Sequence, residues 1–176
     1  MTNLIFVGGI HGVGKSNFCE IAKEKLNINS YSASNLIVDL KQKGFNKDKL
    51  IPDINENQNY LLMAIEKLNA KETNYLLDGH FCLLDSFGTV KRIEAETYIN
   101  LKPQAIILLV EKSSTVAERR KTRDGITYDV SEIEKFQQEE ISYSKEIAEI
   151  VNAPLYILDG LNNIRDALEF IKKYAK

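Results

Sequence analysis

The stretch Leu4-Ile5-Phe6-Val7-Gly8-Gly9-Ile10-His11-Gly12-Val13-Gly14-Lys15-Ser16 decides the fold. Four consecutive apolar residues have strand length and no alternation, which suits a parallel strand covered on both faces. They run into G-x-x-x-x-G-K-S, from Gly9 to Ser16, and a helical pattern extends from Lys15 to Leu26. In that order the three pieces form a phosphate loop: the glycines let backbone N–H groups converge on an anion, and the helix N-terminus adds partial positive charge. Lys15 would reach the β- and γ-phosphates, and the Ser16 hydroxyl would face Mg²⁺. ATP and Mg²⁺ are therefore the expected ligands, with Gly9, Ile10, His11, Gly12, Val13, Gly14, Lys15, Ser16 and Asn17 as the cradle. Because such a loop binds through its backbone, the His11 side chain is expected to point away from the phosphates. Lys15 is expected to stand in solvent with no core packing to lose.

Working outward, further strand-length apolar runs lie at Ile28 to Ser32, Tyr75 to Leu77, Ala105 to Val110 and Leu155 to Leu158. Helical patterns separate them. One starts after Asp53, with Glu56 in capping-box spacing, and spans Ile54 to Leu68. A second begins at Ser113-Ser114-Thr115. A third begins at Ser131, boxed by Glu134, and carries Ile133, Phe136, Ile141, Ile147 and Val151 on one stripe. The last covers about 162 to 174. Strands alternating with such helices imply right-handed crossovers and an α/β fold of three layers, a parallel sheet with helices on both faces.

The 176 residues contain no repeat, low-complexity tract or linker, so a single domain over 1–176 is the simplest partition. With 44% hydrophobic and 27% charged residues the chain is globular, which excludes disordered and fibrous classes. A net charge of −2 gives no general reason to bind nucleic acid. Cys19 and Cys82 have no metal-type or disulfide-framework spacing and read as buried thiols. The apolar N-terminal run lacks a basic lead and is too short for a signal peptide or membrane span, so a cytoplasmic location without membrane partners is expected.

Asp78 ends the apolar run of Asn74-Tyr75-Leu76-Leu77-Asp78-Gly79-His80, at the strand end where open α/β sheets bind ligands. Its carboxylate is the expected second metal group, beside Ser16. Glu111 closes the Ala105 to Val110 run and is a weaker candidate. Three of the five arginines fall in Arg119-Arg120-Lys121-Thr122-Arg123-Asp124-Gly125. Guanidinium forks bind oxyanions bidentately and keep their charge, so this cluster suits a transferred phosphate. A solvated basic helix end is the bland alternative.

The phosphate loop, Asp-Gly-His after the third strand, the apolar Leu101 to Glu111 segment, the helix with Gln137, and Arg-Arg followed by Arg-Asp together resemble the adenylate kinase and nucleoside monophosphate kinase superfamily. The likeness is strongest to archaeal-type adenylate kinases. The resemblance implies a five-stranded parallel sheet in order 2-3-1-4-5, an acceptor-binding segment at about 33–70 and a lid at about 119–130. It also implies that Lys15, Asp78, Arg119 and Arg123 are catalytic, with Arg119 against the ATP and Arg123 approaching the transferred phosphoryl group. Ser32 and Ser34 would line the acceptor, and Asp159-Gly160-Leu161 would back the adenine. The chain departs from the pattern where arginines usually grip the acceptor phosphate, since those positions are Ile37 and Cys82. Lys47, Lys49 or Arg92 are the available substitutes.

Three functions follow. The first is phosphoryl transfer from ATP to a nucleoside monophosphate. The second is transfer to a hydroxyl of a small molecule or nucleic-acid end, which needs a carboxylate to accept the proton; Tyr31-Ser32-Ala33-Ser34-Asn35, just beyond the second strand, has none, Asp39 lies a turn or more along the helix and Asp85 lies in a loop, which favours the nucleotide acceptor. The third is an ATP-binding or ATP-hydrolysing regulatory module. His80 could orient an acceptor or serve as a structural histidine.

Overall fold

The computed structural model of the chain describes residues 3–42 and 54–175. Its elements run β1 (Asn3–Gly8), α1 (Lys15–Leu26), β2 (Asn29–Ser32), α2 (Ala33–Gln42), α3 (Ile54–Asn69), β3 (Asn74–Asp78), β4 (Cys82–Leu84) and β5 (Val90–Arg92). Then come α4 (Ala95–Leu101), β6 (Ala105–Val110), α5 (Ser113–Asp124), α6 (Val130–Ile150), β7 (Leu155–Asp159) and α7 (Ile164–Tyr174). Five strands form a parallel sheet in the order β2-β3-β1-β6-β7. Counted among the sheet's own strands this is the expected 2-3-1-4-5. The other two, β4 and β5, pair antiparallel as a separate hairpin that the sequence reading did not anticipate.

The three central strands are the apolar runs. Leu4 to Val7, Tyr75 to Leu77 and Ala105 to Leu109 are each at most 2% exposed, as strands covered on both faces must be. Edge strand β7 buries only Leu158 fully. Helices α1 and α7 pack together, with α7 crossing β1, β6 and β7, while α6 lies against β6 and the hairpin and is flanked by α4 and α5.

Register sets where the site must be. Val7 is opposite Asp78, Ser32 is opposite Asp78 from the other side, and Gly8 is opposite Leu108. The carboxyl ends of β2, β3, β1 and β6 therefore finish at one level. Strand β1 lies between β3 and β6, so the chain leaves it at the point where crossovers diverge, which opens a crevice.

Helix ends follow local chemistry, with one revision. The N-cap of α6 is Asp129, whose carboxylate accepts the N–H groups of Ser131 and Glu132. Asp129 outcompetes the expected Ser131 box because its carboxylate serves two orphan amides at once. Glu134 instead accepts from the Ser113 hydroxyl and from the Gln138 amide. The box expected at Asp53 lies outside the described residues, as do Lys47 and Lys49. Along α6, Ile133, Phe136 and Ile147 are buried as expected, and Ile141 and Val151 are half-buried. Both cysteines are free and buried, and burial pushes each thiol up to about 12. Among the described residues no helix is long and apolar enough to cross a membrane.

Candidate active site

At the carboxyl edge of the sheet is a cleft of about 540 Å³. Its floor is the phosphate loop. Gly9 has φ +146°, and a Cβ there would stand 2.8 Å from the Leu109 carbonyl oxygen, so the strand can turn into the loop only with glycine. Gly14, at φ +103°, caps α1 and places no side chain over the first turn, which leaves the amides of Lys15, Ser16 and Asn17 turned to the cleft. The side chains of Ile10 and Val13 anchor the loop in the core.

Five of the residues picked out in the sequence meet here: Lys15, Ser16, Asp78, Arg119 and Arg123 line the same cleft, with Asn17, Ser32 and Ser34. Two expectations about the loop are corrected. Lys15 is not in solvent but 7% exposed, because its ammonium lies back against the loop. It donates to the carbonyl of Gly9 at 2.5 Å and of Ile10 at 3.4 Å, and lies 3.9 Å from Asp78. His11 does not point away: its ring lines the cleft, 4.6 Å from the His80 ring.

Burial dominates the electrostatics. It lowers the Lys15 pKa against the attraction of Asp78, and raises that of Asp78 against the attraction of Lys15, so both partners are drawn toward neutrality. His80 falls to about 2, through burial first and the Lys15 charge second, and is a neutral ring. Its Nε2 lies 3.4 Å from the Lys15 ammonium, a donor, so that nitrogen is the lone-pair acceptor and Nδ1 carries the proton. Tyr98, buried between Phe6 and Phe81, donates to the His80 carbonyl at 2.6 Å and fixes its backbone.

The arginine cluster divides. Arg119 donates to the carbonyls of Gly12 and Val13 at 3.1 and 3.2 Å and pairs with Glu111 at 3.2 Å. That pairing occupies Glu111, which does not line the cleft among the described residues. Arg123, 56% exposed, pairs with Asp124, which also accepts from Tyr128. Arg120 is buried instead, donates to the His11 carbonyl at 2.8 Å and faces the Tyr128 ring. It braces the loop. The segment expected as a lid holds the last turns of α5, the connection 125–129 and the first residue of α6.

One residue of α6, Glu140, went unrecognised in the sequence. Glu140, 1% exposed, accepts N–H groups from Gly9 at 3.2 Å, Phe81 at 3.0 Å and Cys82 at 2.7 Å. It thereby ties the loop to the segment after β3. Its signal was available: a carboxylate seven residues after Ile133 and four after Phe136 lies on the apolar stripe. Gln137 exchanges two hydrogen bonds with the backbone of Glu111 and pins the end of β6.

Beside the cleft is a second cavity of about 160 Å³, walled by α2, α3, α4 and the hairpin. The two share Ser34, Gly79 and His80. Ile37 lines it, while Cys82 is turned into the core. Among the described residues no cluster of three or more His, Cys, Asp or Glu side chains is arranged to hold a metal by itself. Ser16 and Asp78 offer two oxygen donors, which fits a Mg²⁺ that keeps waters and is held mainly by nucleotide phosphates.

The AAA domain family profile matches residues 8–137, from the end of β1 to Gln137. A search of the curated proteins finds no match. A gluconokinase structure from Sinorhizobium meliloti is similar at TM-score 0.58 and 18% identity, covering 98% of this chain and 93% of that one. A sugar kinase from a Janibacter species, in an unliganded structure, is similar at TM-score 0.55 and 12% identity, covering 99% and 94%. An uncharacterized protein from Eubacterium ventriosum is similar at TM-score 0.53 and 15% identity, covering 99% and 98%. At these identities the likeness shows the fold.

Proposed function

The chain belongs to the AAA domain family of P-loop kinases, and from that premise we propose that it transfers the γ-phosphoryl group of ATP to a hydroxyl of a small molecule. One observation carries the reading: the phosphate cleft adjoins a second cavity with which it shares Ser34, Gly79 and His80, immediately after the Asp78 carboxylate. A donor and an acceptor seated in the two would meet at that seam. The gluconokinase and sugar kinase likenesses support a small-molecule acceptor.

In this reading the loop amides and Lys15 hold the β- and γ-phosphates, and Lys15 leaves the Gly9 carbonyl to do so. Ser16 and the nucleotide's own phosphates would hold Mg²⁺, which supplies charge neutralisation on the phosphates and leaves Asp78 free to act as a base. Arg119 and Arg123, on the last turns of α5, close over the phosphoryl group and keep water out. The acceptor oxygen bonds to the γ-phosphorus as the bond from that phosphorus to the β,γ-bridging oxygen breaks, and the electron pair leaves with ADP. The hydroxyl proton passes to Asp78, the one carboxylate lining the cleft among the described residues. Burial raises its proton affinity, which suits a proton acceptor. Asp39 and Asp85 do not line it.

The nucleoside monophosphate reading loses ground at Ile37, which is a wall of the second cavity where an arginine would grip a phosphate. The test is phosphorus NMR of Mg²⁺-ATP with a panel of small alcohols and nucleoside monophosphates. A phosphate monoester of an alcohol is expected, and Asp78→Asn should slow its formation about 100-fold or more. Sustained ADP release with no phosphorylated acceptor from any class would establish the regulatory ATPase instead.

A further inference from the structure

We infer that the acceptor is an uncharged alcohol whose body is a single ring or its equivalent in size, rather than a polyol, a sugar acid or a phosphorylated compound. The inference rests on the kinase reading above and concerns the chemistry of its second cavity. The walls are apolar: Phe6, Ile37, Leu61, Leu83, Ile93 and Leu101 come from five separate elements and the chain beside them. Polar groups are few, namely Ser34, Asn57, Gln58, Thr97 and His80, with the Tyr98 hydroxyl already donating to the His80 carbonyl, and none of the lining side chains among the described residues is Lys, Arg, Asp or Glu. The cation nearest by sequence on the two helices is Lys41. Its ammonium is held by the Asn57 side-chain oxygen at 2.5 Å and lies 5.5 Å over the Tyr60 ring, in the contact between α2 and α3.

An anion entering this cavity would leave water and meet no countercharge among the described lining residues, which is strongly unfavourable. A polyol would present more hydroxyls than the four neutral polar side chains and one imidazole can pair, and each unpaired hydroxyl opposes binding. An apolar ring gains by leaving water. Size agrees: an apolar cavity of about 150 Å³ holds one benzene ring, and this one measures about 160 Å³. The two amides, Asn57 and Gln58, are adjacent on α3 and supply donors and acceptors for a heteroatom on the ring edge. The hydroxyl then projects past Ser34, Gly79 and His80 toward the phosphate cleft.

The test uses the full chain with Mg²⁺-ATP and five probes: benzyl alcohol, 3-quinolinemethanol, glucose, gluconate and AMP, with product identified by mass spectrometry. We expect kcat/KM for the better of the two uncharged ring alcohols to exceed that for glucose, gluconate and AMP by at least about 100-fold. Leu61→Phe, which fills the cavity, should raise the acceptor KM about 10-fold or more and leave the ATP KM unchanged. Should that variant fold poorly, Ile37→Ala enlarges the wall and is expected to shift preference toward the larger ring alcohol. Preferred transfer to glucose, gluconate or AMP overturns the inference and leaves the kinase reading intact. ADP release without any phosphorylated probe, together with no binding of the ring alcohols by calorimetry, overturns both.

Discussion

Around Gly12 to Asn17 a ligand is met by backbone amides, one lysine and a helix terminus, all within six consecutive residues. Around Ile37, Leu61 and Leu101 it is met by side chains drawn from three helices, the hairpin and β1, with no charge among the described lining. In the proposed reading the first region recognises charge and the second recognises shape. Charge recognition can be local, because a few amides and one cation suffice to hold a phosphate. Shape recognition needs a concave surface, which no short segment forms alone.

The sharpest way to break this comparison is at Lys15. Lys15→Ala should cut turnover about 1,000-fold by removing electrostatic stabilisation of the phosphoryl group. The free protein should melt at the same temperature or higher, since burial already disfavours the Lys15 charge in the fold. Turnover assays and circular dichroism check both halves. A large fall in melting temperature would mean that the lysine serves the fold as much as the phosphate.

Next in size is Glu140→Gln. One of the three backbone N–H groups of Gly9, Phe81 and Cys82 would then face an amide donor, at a cost of about 2 kcal/mol. For a chain of this size that corresponds to a fall of roughly 4–8 °C in Tm. The phosphate and acceptor regions share this carboxylate, so ATP and acceptor KM values should both rise. A change in only one would show that the two regions are held independently.

Arg123→Lys keeps the charge and loses the planar fork, so transfer should slow about 10-fold with little change in ATP affinity. Pre-steady-state measurement of product formation separates the two. An equal loss of ATP binding would place Arg123 with the ground-state phosphate contacts.

The smallest effect at neutral pH is expected from His80→Asn. The His80 pKa is about 2 in the fold against an ordinary 6.5, so below pH 6.5 the unfolded chain binds the proton that the folded chain refuses. Stability present above that pH is lost as the pH falls, with a slope approaching about 1.4 kcal/mol per unit. His11, also lowered by burial, adds to this loss. Urea midpoints between pH 7.5 and 5 should show a shallower decline in the variant. An unchanged slope would mean that His80 is already open to protonation.

The strands were legible because burial on both faces leaves an unbroken apolar run, as at Leu4 to Val7 and Ala105 to Leu109. Hairpin strands of three residues carry no such signature, and Leu84 and Val90 read as loop until they pair across it. Seven-residue α4 was missed for the same reason of length. The arginines were visible as a group, yet their division was not. Whether Arg120 or Arg119 faces the cleft depends on the rotation of α5 against the loop, which composition does not encode.

By itself the sequence determined the phosphate loop, the five parallel strands with their helical crossovers, and Asp78 at a strand end. Each of these rests on neighbours in the chain: glycines that admit positive φ, a lysine next to a helix start, apolar residues in succession. Only the tertiary structure decided that Lys15 is buried against Gly9 and that His11 turns into the cleft. It alone showed Glu140 reaching back across 131 positions to the loop and Ile37 becoming a wall beside His80. Those outcomes belong to packing between segments far apart in the chain, where the cost of an unpaired buried group selects the partner and proximity in sequence does not.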